Sequence, residues 1–122
     1  MGLIMERVVY LSGPMSGLTD YNYPAFDAAA RELRARGFTV ITPSENKPPV
    51  PKPTWHDYME MARAQVPTVD MIVTLPGWRN SQGAIEEVYL ARAHRIEIVD
   101  YEMLITTNIT WPLANQTHEA AA

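Results

Sequence analysis

The chain has 122 residues, no cysteine and a formal net charge of −4 at pH 7, and 47% of its residues are hydrophobic. Because domains average about 150 residues, this length predicts a single domain over residues 1–122. The acidic balance argues against a nucleic-acid polymer as partner, and the lack of cysteine excludes disulfides and thiolate chemistry. No apolar run approaches the roughly 18 residues of a membrane span and no signal-peptide pattern is present, so we expect a cytoplasmic protein without membrane association.

The first half of the chain alternates between strand and helix patterns. Residues 7–12 form a β-branched and aromatic run, which is typical of a buried strand in a parallel sheet. A polar loop follows over 13–23. Pro24 then opens a helix that ends at Gly37. Its apolar residues have helical spacing: Phe26, Ala29, Ala30 and Leu33. A second strand is predicted over 38–41.

The second half begins with segment 43–54, which contains five of the ten prolines. Proline excludes both a helix and a central strand there, so we predict a loop that acts as a lid. A helix over 55–66, a strand over 69–75, a helix over 81–95 and a strand over 96–99 follow.

Beyond residue 100 the pattern weakens. Residues 103–107 suggest a fifth strand at the sheet edge, and residues 115–122 suggest a frayed tail, which leaves an ordered core over about 7–107. Alternating strands and helices predict an α/β fold with an open parallel sheet of four to five strands and helices on both faces. In such sheets ligands bind beyond the carboxyl ends of the strands, where the loops 13–23, 43–54 and 76–82 should meet.

The first of these loops reads Gly13-Pro14-Met15-Ser16-Gly17 and precedes a helix. Free backbone N–H groups there would suit an anion. The loop lacks both the dinucleotide fingerprint and the Lys-Ser/Thr ending of a Walker loop. A turn that only connects strand and helix is therefore an equal interpretation.

The third loop leads into a helix that carries a candidate catalytic carboxylate. Ser81 is a suitable N-cap, and Glu87 shares a helical stripe with Ala84, Val88 and Ala91. The stripe predicts that Glu87 points inward near the strand ends, whereas Glu86 points away. A half-buried carboxylate is costly unless it is used or paired. The alternative is a structural role, in which Glu87 pairs with Arg92, Arg95 or a backbone donor.

Other candidate groups give weaker signals. The three histidines have no metal-ligand spacing, so we expect neither a metal site nor a cofactor. Several aromatic side chains have the chemistry to stack a nucleobase, although core packing is their commoner role: Trp55, Trp78 and the pair Tyr21 and Tyr23.

Four segments together resemble a family that is common in phage and prophage genomes. They are Val9 to Gly17, Tyr21 to Phe26, Asp70 with Leu75 to Trp78, and Ser81-x-Gly83-Ala84-x-x-Glu87. This family is similar to the nucleoside 2-deoxyribosyltransferases and the 2′-deoxynucleoside 5′-monophosphate N-glycosidases. The resemblance covers roughly residues 7–100 and implies a flavodoxin-like, Rossmann-like sheet. It also implies a site completed by a neighbouring subunit. Because small open sheets often bury their edges and complete sites by self-association, we expect a homodimer or a larger even-numbered assembly.

The resemblance implies roles for individual residues. Glu87 matches the nucleophile that attacks C1′ of a 2-deoxyribosyl group, and Tyr10 matches a tyrosine whose hydroxyl lies near that carboxylate. Ser81 matches a serine of the monophosphate glycosidases, where transferases carry an aspartate, which favours a nucleotide over a nucleoside as the small-molecule substrate. The candidate substrate-binding residues are Gly13, Met15, Ser16, Gly17, Asn22, Arg79, Ser81 and Gly83.

The chain departs from the family pattern at two positions. The acid expected on the second helix falls on Ala62, and the loop arginine that binds phosphate falls on Ser16, so that Arg79 would have to supply the charge. The favoured hypothesis is hydrolysis or transfer at the N-glycosidic bond of a 2′-deoxynucleoside 5′-monophosphate. A non-catalytic nucleotide-binding or sensing module on the same scaffold is the alternative.

Overall fold

The computed structural model describes residues 6–48 and 50–111. Helices and strands alternate along the chain as β1 (Val8–Ser12), α1 (Tyr23–Ala35), β2 (Thr39–Ile41), α2 (Trp55–Gln65), β3 (Met71–Thr74), α3 (Gln82–Ala93), β4 (Glu97–Asp100) and α4 (Tyr101–Thr106). The four strands and three helices predicted up to residue 100 are confirmed, with bounds that differ by one or two residues. The predicted tail over 115–122 lies outside the described residues.

The four strands run parallel in the order β2-β1-β3-β4. In the centre of the sheet, Val9 of β1 lies opposite Val40 on one side and Met71 on the other. This is the strand order of a small flavodoxin-like fold, so the predicted α/β class is confirmed. The order reverses beside β1, and such a reversal opens a crevice at the carboxyl ends of β1 and β3.

Helices cover both faces of the sheet. Successive residues of β1 point to opposite sides and therefore pack against different helices. Val9 and Leu11 pack with the apolar stripe of α1 and with Leu104 of α4. Tyr10 points the other way and packs with Met59 and other buried residues of α2 and α3. No helix in the described ranges 6–48 and 50–111 combines the length and hydropathy of a membrane span.

The predicted edge strand over 103–107 is wrong, since Tyr101–Thr106 form helix α4. The carboxylate of Asp100 caps this helix by accepting a hydrogen bond from the Met103 N–H at 3.1 Å. Leu104 is buried against the cluster on the α1 face of the sheet. The β-branched residues at 105–107 favoured a strand, but a segment this short shows too little periodicity to discriminate, and the cap and the buried leucine decide the outcome.

Candidate active site

A cavity of about 420 Å³ opens at the carboxyl end of β1. This volume is typical of sites for small molecules. All three loops that the sequence predicted at this edge contribute to its lining: the β1–α1 loop, segment 43–54 and the loop before α3. The most deeply buried polar side chains of the lining are those of Tyr10 and Glu87.

Glu87 reaches the cavity because of its position on α3. The helix begins after Ser81, whose hydroxyl accepts a hydrogen bond from the Ala84 N–H at 3.2 Å. The buried residues of α3 are those of the predicted stripe: Ala84, Glu87, Val88 and Ala91. The inward orientation of Glu87 is therefore confirmed, and only 8% of the residue is exposed.

Two hydroxyl groups of β1 hold the Glu87 carboxylate. Tyr10 donates to Oε2 and Ser12 donates to Oε1, each at 2.6 Å. Because side chains two positions apart on a strand share a face, one strand delivers both donors to one carboxylate. The sequence analysis proposed Tyr10 and missed Ser12. The alternation along β1, which places position 12 on the same face as position 10, was the signal available for it.

Burial raises the pKa of Glu87 to about 7, although the hydrogen bonds from Ser12 and Tyr10 act to lower it. The nearby negative charge of Glu86 adds to the rise. Burial, together with the neighbouring carboxylate, also raises the pKa of the Tyr10 hydroxyl well above its ordinary value. The carboxyl group of Glu87 therefore changes its charge near neutral pH, which is the range useful for nucleophilic or acid–base chemistry.

The structural alternative for Glu87, a pairing with Arg92, Arg95 or a backbone donor, is not found among the described residues. In the part of the chain that the structure describes, Glu87 forms no ion pair and its hydrogen bonds come from hydroxyls. The adjacent Glu86 instead pairs with Arg63 at 2.9 Å on the outer surface, as predicted for a side chain that points away.

Five of the eight candidate substrate-binding residues line the cavity: Gly13, Met15, Ser16, Ser81 and Gly83. Gly13 also has a structural reason to be glycine, since a Cβ there would lie 2.9 Å from the Cβ of Leu75. The Gly13 turn thus both connects β1 to the loop and contributes to the site.

The other three candidates lie outside the lining of this cavity. Gly17 occupies a turn with φ of +79°, where a Cβ would contact none of the described residues beyond its chain neighbours. The side-chain amide of Asn22 donates to the Pro14 carbonyl at 3.0 Å and so braces the loop from within. The guanidinium of Arg79 lies over the Trp78 ring, 4.6 Å from its centroid.

Three of the four aromatic residues that were considered for stacking a nucleobase line the cavity, and one does not. Tyr21, Tyr23 and Trp55 line the cavity, together with Tyr58 of α2, whereas Trp78 does not. Segment 43–54 adds Pro43, Asn46, Pro53 and Thr54 to the lining. Whether this segment moves as a lid stays a prediction.

Glu87 is the only charged side chain among the described residues that line the cavity. Ala62, where the family pattern has an acid, is buried in the apolar cluster on this face of the sheet. The acidic residues near it serve other roles, because Asp57 completes the N-terminal cap of α2 and Glu60 pairs with Arg63. Among the described residues, no group of acidic or histidine side chains is arranged to hold a metal ion.

Residues 7–100 match the family model described as Domain of unknown function (DUF4406), and this match spans most of the chain, which therefore belongs to that family. No curated protein matches the sequence. Since the family description assigns no activity, a function has to be inferred from the site itself.

Proposed function

We propose that this DUF4406 protein cleaves or transfers the N-glycosidic bond of a 2′-deoxynucleoside 5′-monophosphate, with Glu87 as nucleophile. The observation that carries the proposal is the buried Glu87 carboxylate, which lies in a cavity of about 420 Å³ and is oriented by two hydroxyls at 2.6 Å. The resemblance of the segments around Tyr10, Ser81 and Glu87 to deoxyribosyltransferases and deoxynucleotide glycosidases supports the same chemistry.

In the proposed reaction, a Glu87 oxygen attacks C1′ of the deoxyribosyl group and forms an ester bond. The C1′–N bond breaks through an oxocarbenium-like state, and the base leaves with the bonding electron pair and takes a proton from water in the open cavity. Water, or a second base, then attacks C1′ and releases the carboxylate. Tyr10 and Ser12 keep the carboxylate in one orientation through both steps.

Two cavity hydroxyls support a phosphorylated substrate. Ser81 lies at the N-terminus of α3 and Ser16 lies in the β1–α1 loop, and both line the cavity. Neutral donors at a helix N-terminus suit a phosphate better than a carboxylate would, because no like charge repels the ligand. Arg79 lies over Trp78, so in this arrangement hydroxyl and backbone donors hold the phosphate.

The test is incubation with each of the four 2′-deoxynucleoside 5′-monophosphates, with free base measured by chromatography. We expect Glu87→Gln to abolish base release, because an amide is a far weaker nucleophile than a carboxylate. Glu86→Gln is the matched control, since the neighbouring carboxylate pairs with Arg63 on the outer surface. Base release by Glu87→Gln at the rate of Glu86→Gln would refute the assignment.

A second candidate function is nucleotide binding without catalysis. The observation that favours it is the lack of a second acid in the site. Ala62 lies in an apolar cluster where the family pattern has an acid, and Glu87 is the only carboxylate among the described lining residues. General acid catalysis typically contributes 10²–10⁴-fold in rate, so its loss would slow departure of the base. Saturable nucleotide binding without base release over hours would favour this candidate.

Self-association is part of the proposal. A homodimer or a larger even-numbered assembly would complete the site with residues of a second copy, as the resemblance implies. Size-exclusion chromatography with light scattering measures the mass directly. A mass equal to the 13.7 kDa of one chain at micromolar concentration would contradict this expectation.

A further inference from the structure

The β1–α1 loop contains an unusual run of backbone conformations. Asp20, Tyr21 and Asn22 have φ values of +51°, +52° and +61°. The left-handed region costs an L-residue roughly 1–2 kcal/mol, and residues other than glycine visit it as single positions rather than in series. Such strain persists where the surrounding structure imposes it, and it is commonly found at functional sites.

The strained run is held in place by local hydrogen bonds. The Tyr21 N–H donates to the Leu18 carbonyl at 3.0 Å, and the Asn22 side chain donates to the Pro14 carbonyl at 3.0 Å. These bonds fix the backbone but leave the ring of Tyr21 free of the core, and the residue is 62% exposed. The loop therefore holds a large aromatic ring in water at the rim of the cavity.

Tyr21 belongs to a group of four aromatic residues that line the cavity: Tyr21, Tyr23, Trp55 and Tyr58. The rings of Tyr21 and Tyr23 are 5.9 Å apart and tilted by 43°. Burial raises the pKa of the Tyr23 hydroxyl, and the nearby Tyr58 adds to this rise. The rim thus concentrates aromatic faces around a cavity whose described lining contains one charged group, Glu87.

One of these rings, that of Trp55, lies against the start of α3 at Gly83. A Cβ at Gly83 would lie 3.6 Å from Nε1 of Trp55 and 3.3 Å from the sulfur of Met59. Trp55 also lines the cavity. The indole is therefore placed between the start of α3 and the open cavity.

Aromatic faces recognise a ligand by stacking, which is worth about 1–3 kcal/mol for a nucleobase and tolerates any base because each has a π face. Four aromatic residues, with no charged side chain beside them among the described lining residues except Glu87, suit a flat heteroaromatic ring. The sugar would then lie deeper, beside Glu87 and Tyr10. This order of groups is what attack on C1′ requires.

We propose that Tyr21, with Tyr23 and Trp55, forms a base-stacking subsite, and that the strained run 20–22 holds Tyr21 against the nucleobase. The subsite rests on the proposed function, since it assigns the base of the same substrate. It has one further consequence: the site accepts purine and pyrimidine deoxynucleotides alike, with affinity that increases with the area of the stacked ring.

The experiment measures binding by calorimetry in the Glu87→Gln background, so that the ligand is not consumed. The probes are 2′-deoxyguanosine 5′-monophosphate and 2-deoxyribose 5-phosphate, which lacks the base. Tyr21→Leu should raise the Kd for the nucleotide about 5- to 150-fold and leave that for the sugar phosphate unchanged. Tyr21→Phe should retain nucleotide affinity, because it keeps the ring.

Tyr89→Leu is the matched control, since Tyr89 is 64% exposed on α3 and does not line the cavity. Equal nucleotide affinity in the Tyr21→Leu and Tyr89→Leu proteins would overturn the subsite, and so would equal losses for both probes or no nucleotide binding at all. A different outcome would refute the proposed function and leave the subsite standing: the wild-type protein binds nucleotide in a Tyr21-dependent manner but releases no base.

Discussion

The hydrogen bond from Ser12 to Glu87 can be tested by removing a single oxygen atom. Ser12 is fully buried, and its hydroxyl lies 2.6 Å from Oε1 of Glu87. Ser12→Ala removes this donor and leaves Tyr10 bonded to Oε2. The ionised carboxylate loses more than the protonated one does, because hydrogen bonds to a charged group are the stronger ones. The variant should therefore raise the pKa of Glu87.

The size of this effect follows from the strength of a charge-assisted hydrogen bond, about 1.5–3 kcal/mol. One pKa unit corresponds to about 1.4 kcal/mol, so the pKa of Glu87 should rise from about 7 by about one unit or more. The nucleophile acts in its ionised form, which is lost as the pH falls through the pKa. At pH 7 the ionised fraction should then fall about fivefold, whereas above pH 9 the two proteins should converge.

The assay is a titration of the Glu87 carboxyl carbon by NMR, with kcat/KM as a function of pH alongside it. The control is Ser44→Ala, because the Ser44 hydroxyl donates to the carboxylate of Asp27 at 2.7 Å, away from Glu87. We expect the acidic limb of the rate profile to move to higher pH in Ser12→Ala only. An unchanged carboxyl titration in a folded Ser12→Ala protein would refute the reasoning.

Three further predictions concern stability. The folded state raises the pKa of Glu87 from 4.5 to about 7, so the stability that this group contributes is full below pH 4.5 and is lost as the pH rises through 7. The free energy of unfolding of Glu87→Gln, measured by urea denaturation, should therefore rise relative to that of the wild type by about 3 kcal/mol from pH 4 to pH 9. A difference that does not change with pH would contradict this. Gly13→Ala should cost about 1–3 kcal/mol because its Cβ would crowd Leu75, and an unchanged Tm would count against that contact. Ser81→Ala should lower the free energy of unfolding by about 1 kcal/mol, because α3 loses its N-terminal cap. Ser81→Asp should restore this stability but not base release from the monophosphates, because its carboxylate would repel the phosphate.

The sequence by itself determined the local elements and the direction in which several side chains point. The apolar stripe Phe26, Ala29, Ala30 and Leu33 predicted α1, and the structure buries all four of these residues. The stripe on α3 likewise predicted that Glu87 faces inward and Glu86 outward. These features could be predicted because helical and strand periodicities are properties of neighbouring residues, and burial of one face follows from them.

The tertiary structure alone decided which distant groups meet. Ser12 and Glu87 are 75 positions apart, and their hydrogen bond depends on β1 lying in the middle of the sheet with α3 packed across it. The loop before α3 likewise turned Arg79 onto Trp78 and away from the cavity lining. Asp100 and Leu104 made a helix of a segment that resembled a strand. Such outcomes depend on strand order, packing and caps between segments, which local periodicity does not specify.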